Sequence, residues 1–371
     1  MTNRALLSTR AVPNVEDLTI SQLVLGIETS CDETAVACVS SEGDIRGQAI
    51  YSQLSAHAPY GGIVPEIAAR AHLERLQPLI DETLRQAQVA PERLDAVAAT
   101  AGPGLIGGVI VGATMAKALA YAWEKPFIAI NHLEAHALSA RLSDRVPFPF
   151  LLLLVSGGHC QLLAVADVGD YRLYGQTIDD ALGEAFDKTA RLLGLGYPGG
   201  PAVEALAAKG NADRYALPRP LLGKPGCDFS FAGLKTAVRQ VVQALPPGTA
   251  DDQAASDLCA SFQRVCGDVL ADRCRSAAQR FRAEFGRCDR IVVAGGVAAN
   301  RYLRARLNAL ADAEGASLVV PPPALCTDNA AMVAWAGLER LRLGQRDSLE
   351  FAPRPRWPLE SLTAFPEPSG G

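Results

Sequence analysis

LVLGIETSCDETAVACV, residues 23–39, and LLLLVSGGHCQLLAV, residues 151–165, share one pattern: an apolar strand, a turn of small polar residues, and a returning apolar strand. In the first copy Leu23 to Glu28 reads as a strand, Thr29 to Glu33 as the turn, and Thr34 to Val39 as the second strand. In the second copy Phe148 to Val155 and Cys160 to Val165 flank Ser156-Gly157-Gly158-His159. Short apolar runs separated by Gly, Ser and Asp are hairpin signals.

The segments after the two hairpins are also alike. After the first come an extended stretch (Gly47 to Leu54) and a helix from Glu66 to about Ala87, with Ile67, Leu73, Leu76, Leu79 and Ile80 at helical spacing. Strand Asp95–Thr100, a helix through Trp123, strand Phe127–Ile130 and a helix opening at Asn131 complete that half. The second half offers strand Arg290–Ala294, a helix near Asn300, strand Ser317–Val320 and a helix from Asp328 to about Leu343. A hairpin succeeded by alternating helices and strands, present twice, predicts duplicated α/β domains facing one another across a cleft. The expected division is an N-terminal extension over 1–21, a first domain over 22–145, a second over 146–345, and a Pro-rich tail over 346–371. The tail is expected to be loose or packed on the surface. The last helix is a candidate to pack back onto the first domain.

Composition narrows the function. The chain has 371 residues, 49% hydrophobic and 20% charged, with a formal net charge of −5. That balance suits two globular domains and excludes a surface that is basic throughout, so any RNA contact needs a local basic patch or a helper protein. Nine cysteines include no C-x-x-C pair, which argues against a structural zinc knuckle. Cys259, Cys266 and Cys274 are read as small buried residues on one helix face. No apolar run is long enough to span a membrane, and residues 1–20 lack the apolar segment of a secretory signal. The reducing cytoplasm is the expected setting.

Three groups of residues carry chemistry. His132 and His136, in His132-Leu-Glu-Ala-His136, differ by about 40° around a helix, so both imidazoles leave one face as a single metal requires. The same spacing also describes two partly exposed histidines. A zinc peptidase would place its general-base Glu directly after the first His. Here Glu134 stands two residues on, about 200° around the helix, and points away. A third ligand must come from elsewhere; Asp328 is the candidate, although an Asp at that helix start also reads as a cap. The second group is glycine-rich: Ser156-Gly157-Gly158 and Gly295-Gly296 can bring backbone N–H groups to phosphate oxygens, or simply turn the chain. The third is acidic. Asp32 and Glu33 sit on the first turn, facing the cleft, while Asp179, Asp180, Glu184 and Asp187 are read as lining one helix, mostly as a solvated face. Arg214, Arg219 and Lys224 offer a candidate basic patch or a solvated loop.

Taken in order, these segments resemble one family. They are GIETSCDET at 26–34, YGGIVPE at 60–66, TAGPGLIGG at 100–108, HLEAH at 132–136, LVSGGH at 154–159, GEAFDK at 183–188, YPGGP at 197–201, DFSFAGLKT at 228–236, AGGVAANR at 294–301 and CTDNAAM at 326–332. The resemblance spans about residues 23–357 and is to the bacterial tRNA N6-adenosine threonylcarbamoyltransferases, once labelled glycoproteases, within the actin-like ATPase superfamily (ASKHA, ribonuclease H-like).

The resemblance implies two actin-like domains around a nucleotide cleft, and transfer of a threonylcarbamoyl group from threonylcarbamoyl-AMP to N6 of adenosine 37 in tRNAs reading codons that begin with adenine. It implies one divalent metal, iron favoured and zinc the alternative, on His132, His136 and Asp328. It implies adenylate binding by Leu154, Val155, Ser156, Gly157, Gly158, Asp187, Gly200, Glu204 and Asn300, and importance for Asp32 and Glu33. Archaeal and eukaryotic relatives carry a Tyr where Leu154 stands, so a phenolate ligand is absent here. The implied partners are an inert actin-like paralogue and a small P-loop ATPase. A protease, an inert nucleotide-binding scaffold and a sugar kinase of the same superfamily are the competing readings.

Overall fold

The computed structural model describes residues 21–244 and 252–362; most of the expected N-terminal extension and the end of the tail lie outside them. The first half runs β1 (Leu23–Glu28), β2 (Glu33–Ser40), β3 (Ile45–Ser52), α1 (Leu54–His57), α2 (Pro65–Ala87), β4 (Ala96–Gly102), α3 (Ile106–Ala122), β5 (Phe127–Asn131) and α4 (His132–Asp144). The second runs β6 (Phe150–Val155), β7 (Cys160–Asp167), β8 (Asp170–Gln176), α5 (Leu182–Leu192), α6 (Gly199–Ala207), α7 (Ala232–Ala244), α8 (Asp252–Phe285), β9 (Arg290–Ala294), α9 (Arg301–Ala313), β10 (Ser317–Val319), α10 (Pro323–Cys326) and α11 (Ala330–Arg342).

Each half builds a five-stranded sheet, ordered β3-β2-β1-β4-β5 and β10-β9-β6-β7-β8. The two are the same topology: an antiparallel three-strand meander whose first strand also pairs in parallel with the strand reached through a helical crossover. The two 23–39 and 151–165 hairpins are therefore equivalent pieces, and the turn of each sits at the end of its central strand. The apolar core of the first half continues into the second, with Leu25 and Ile27 sharing a cluster with Leu152, Leu154 and Val292.

The last helix returns to the first half. α11 packs on β1, β2 and β4, and from Ala330 to Leu341 its residues are buried. The close fit depends on Gly26 in β1: a Cβ there would stand 2.5 Å from the Ala330 carbonyl and the Ala334 nitrogen. The start of the tail is less loose than its proline content predicts. Arg354 donates its N–H to the Ala101 carbonyl at 2.7 Å, Asn131 Nδ2 reaches the Trp357 carbonyl at 2.9 Å, and Leu359 is fully buried. Proline lacks a donor but leaves neighbouring residues free to make such bonds. Cys259, Cys266 and Cys274 are buried on α8, as expected. Among the described residues no helix is long and apolar enough to cross a membrane.

Candidate metal centre and nucleotide cleft

β5 leads directly into α4, and Asn131 caps the junction by accepting from the N–H groups of Leu133 and Glu134. That cap fixes where the helix begins, and so which face carries His132 and His136. The segment between α10 and α11 delivers Asp328 to the same face. Its Oδ1 lies 3.5 Å from Nε2 of His132 and 3.1 Å from Nε2 of His136, and one ligand atom from each residue falls within 4.8 Å of the others. Asp328 is not the helix cap. Asn329 takes that role, accepting from the Met332 N–H at 3.0 Å, which leaves the Asp328 carboxylate for the histidines.

This donor set fits a divalent metal. Ligand atoms about 2.1 Å from one tetrahedral ion stand roughly 3.4 Å apart, close to the two Nε2–Oδ1 separations. Charge agrees as well. Burial opposes ionisation of His132 and Asp328, yet the two histidines hold Asp328 well below the usual carboxylate range. Asp328 and Glu28 in turn raise His132 to about 9 against its own desolvation. A site that holds a proton so strongly between two carboxylates is one where a cation is favoured. The buried Nδ1 of His136 has no hydrogen-bond partner.

Glu28 is the residue that sequence reasoning missed. It is fully buried at the end of β1, with Oε2 3.0 Å from Nδ1 of His132 and 2.6 Å from Thr100 Oγ1, while Oε1 accepts from the Ser30 N–H. A carboxylate can only accept here, so Nδ1 carries a hydrogen, and with a metal in place of the second proton Nε2 would be the nitrogen left to ligate beside Asp328. The signal was a single acid closing an otherwise apolar strand, LVLGIE.

In front of this centre opens a cavity of about 550 Å³. Asp32, Glu33, His132, Ser156, Gly157, Gly158, Asp187, Gly200, Glu204, Asn300 and Asp328 all line it, whereas His136 lies behind it. The side chains of Leu154 and Val155 are buried in the cores and do not reach it. The Ser156–His159 turn is tied by Ser156 N–H to the His159 carbonyl at 2.8 Å. A Cβ on Gly157 or Gly158 would meet no protein atom, so both backbones face open space. Across from the turn, Gly295 adopts φ +93°, and a Cβ there would fall 2.3 Å from the Val155 carbonyl oxygen. Asp187 Oδ1 accepts from the Gly199 N–H at 2.8 Å, and Glu204 Oε1 from the Arg301 N–H at 2.9 Å. Asn300 is engaged as the α9 cap, with Oδ1 on the Leu303 N–H and Nδ2 on Gln263.

On the facing turn, Asp32 is buried and Glu33 half-buried. Burial, then the charges of Asp32 and Asp328, push Glu33 up to about 9, so it is protonated at neutral pH. A relay of buried polar groups supports this turn: His57 meets Gln53 at 3.2 Å, Gln53 meets His72 at 3.4 Å, and His72 Nε2 lies 3.1 Å from the Cys31 carbonyl.

One expectation needs correction. Asp179 and Asp180 are not on a helix with Glu184 and Asp187, because α5 starts only at Leu182. Asp179 instead accepts from the N–H groups of Phe231 and Ala232 at the start of α7, and Asp180 pairs with Lys188 and Lys235. Among the candidate basic residues, Arg219 is bound to Asp268 at 2.8 Å. Glu134 does point away from the metal face. It is fully buried, with Oε2 2.6 Å from Arg340 Nε and Oε1 accepting from Tyr171. It cannot serve as the base of a metalloprotease.

Comparison with known proteins fits this geometry. At 15% identity, T. kodakarensis HypF superposes with a TM-score of 0.59 over 87% of this chain and 48% of its own. HypF in a phosphate- and nucleotide-bound form gives 0.55 over 87% and 46%, also at 15% identity. Those likenesses speak to fold alone, which is the two-domain actin-like α/β fold. A protein of Rhodospirillum rubrum is 60% identical over 342 residues, covering 91% of this chain and 94% of that protein. One of Brucella anthropi is 59% identical over 347 residues, covering 92% and 96%. Both bear the name tRNA N6-adenosine threonylcarbamoyltransferase. A family model with the description TsaD, tRNA N6-adenosine threonylcarbamoyltransferase, matches residues 44–335. The chain belongs to the TsaD family of tRNA N6-adenosine threonylcarbamoyltransferases.

Proposed function

We propose that this chain transfers the threonylcarbamoyl group of threonylcarbamoyl-AMP to N6 of adenosine 37 in tRNAs that read codons beginning with adenine. The observation that carries the reading is the convergence of His132, His136 and Asp328 at the wall of a 550 Å³ cleft beside a glycine turn. These three residues would hold one divalent ion, iron favoured and zinc the alternative. When bound there, such an ion would supply charge to neutralise phosphate and Lewis acidity to polarise a neighbouring carbonyl.

The chain's own groups do the rest. The Ser156-Gly157-Gly158 backbone, with no side chains in the way, would take the phosphate of the adenylate. Asp187, Gly200, Glu204 and Asn300 frame the part of the cavity that would hold its nucleoside. Leu154 and Val155 support the turn from below. Holding the adenylate against the incoming adenosine supplies alignment, which is worth several kcal/mol in a two-substrate reaction. An N6 amine must lose a proton as it attacks. The carboxylate pair of Asp32 and Glu33 on the facing turn is the candidate to take that proton.

An acidic chain needs help to hold RNA, and the reading therefore includes two partners: an inert actin-like paralogue and a small P-loop ATPase, all in the cytoplasm. The test is mass spectrometry of nucleosides from unmodified tRNA after incubation with threonylcarbamoyl-AMP, metal-loaded chain and both partners. Threonylcarbamoyladenosine is expected, and its loss in His136→Ala. No modified nucleoside from the complete mixture would refute the assignment.

A further inference from the structure

Outside the cleft, the packing of α5 against α7 leaves a second cavity of about 270 Å³, lined by Lys188, Arg191, Leu192, Lys235, Thr236 and Arg239. The sequence places its cations in register. Lys188 and Arg191 are three apart on α5, and Lys235 and Arg239 four apart on α7, so each helix shows two positive charges on one face. Four cations around one hollow repel each other unless something compensates them. Two are compensated from within: Lys188 pairs with Asp180 and Glu184, and Lys235 with Asp180. Arg191 and Arg239 are exposed and make no ion pair among the described residues. Arg191 donates only to a neutral acceptor, the Gly61 carbonyl, at 2.5 Å. The hollow thus keeps two guanidinium charges from opposite helices on a chain whose net charge is −5.

Its position gives those charges a use. α5 is shared by both cavities: Asp187 faces the cleft, and Lys188 and Arg191 face the hollow. From Asp187 to Arg191 is about 6 Å along a helix axis, roughly the length of one nucleotide step. Arg191 also touches the loop whose Ile63 lines the cleft. A strand that feeds a base into the cleft must lay its neighbouring phosphates on the rim, and planar guanidinium groups match phosphate oxygens.

We infer that the hollow between α5 and α7 is a docking site for RNA backbone phosphate, with Arg191 and Arg239 as its phosphate-binding residues. The inference rests on the transferase reading, since it names where that reaction's RNA substrate is held. The region around Arg219, where the Asp268 carboxylate already holds the cation, is not needed for it.

The test compares wild type, the Arg191→Gln/Arg239→Gln double variant and the Arg191→Lys/Arg239→Lys double variant, each metal-loaded and with both partners. The readouts are tRNA affinity across a salt series and steady-state transfer. In the Gln variant KM for tRNA should rise at least about tenfold, and the slope of log affinity against log salt should fall by about 1 to 2, as two phosphate contacts are lost. KM for the adenylate should hold, and the Lys variant should recover most of the affinity. If wild type transfers normally and the Gln variant keeps both tRNA KM and salt slope, the docking site is refuted while the function stands. A wild type that modifies no tRNA sinks both. Inorganic phosphate titrated alone is expected to show no arginine-dependent saturation in the low millimolar range. Saturation that vanishes in the Gln variant, with tRNA KM unmoved, would make the hollow a small-anion site and overturn the inference.

Discussion

Nδ1 of His132 lies 3.0 Å from Oε2 of Glu28, so a buried acid on the first strand sets the direction in which a helix histidine offers its other nitrogen. Such carboxylate contacts behind a ligating imidazole are worth about 10–100-fold in metal affinity. Glu28→Gln should therefore weaken metal binding by that factor, read by chelator competition, with a parallel fall in transfer at limiting metal. Unchanged metal affinity would show that the contact orients nothing.

Glu33 gives a pH prediction whose sign comes from its raised value of about 9. Between its ordinary value of 4.5 and about 9, the unfolded chain releases a proton that the folded chain keeps. Stability is thus full below pH 4.5 and declines as pH rises. Glu33→Gln removes that decline. It should stabilise the protein by about 2 kcal/mol or more at pH 8, and by roughly half as much at pH 6, in denaturant melts. A gain independent of pH would mean that Glu33 ionises normally.

Two glycines should respond in opposite ways. Gly157→Ala places a methyl group where no protein atom stands, in the cleft, so Tm should stay within about 1 °C while KM for the adenylate rises about tenfold. Gly295→Ala must fit a Cβ at φ +93° against the Val155 carbonyl, and should lower Tm by several degrees whatever ligand is present. If Gly157→Ala binds adenylate normally, the turn is not the phosphate cradle.

Removing Glu134 separates a structural acid from a catalytic one. It is paired with Arg340 in the interior, and loss of one partner from such a pair costs about 3–5 kcal/mol. Glu134→Ala should shift the urea midpoint by a corresponding amount, yet the molecules that remain folded should carry a full complement of metal. Metal loss per folded molecule would place Glu134 nearer the centre than its geometry does.

The parts of this design that are local in sequence could be read from it. The HLEAH spacing fixes a helix face by itself, and the repeated hairpin pattern located both sheets because period and turn chemistry are local. Contacts across strands were hidden. Glu28 reaches His132 only because β1 lies next to β4 and β4 next to β5, an order no spacing reveals. The acids at 179 and 180 were placed on a helix because charge patterning resembles a solvated face, whereas the N-terminus of α7 and two lysines claim them. At Asp328 the difference was a single residue: two adjacent side chains could cap α11, and the neighbouring Asn329 does. The cationic hollow joins α5 and α7, which lie far apart in sequence, so no local spacing reveals it.

α11 covers the first sheet, and the acid shortly ahead of it closes the histidine site, yet both are encoded near the chain's far end. During translation the opening sheet must wait with its β1 face uncovered until residue 342 has left the ribosome, a state prone to aggregation or chaperone capture. No shortened product that stops ahead of Asp328 can assemble the three-residue donor set. On the proposed reading, uptake of metal would report that synthesis has run nearly to completion.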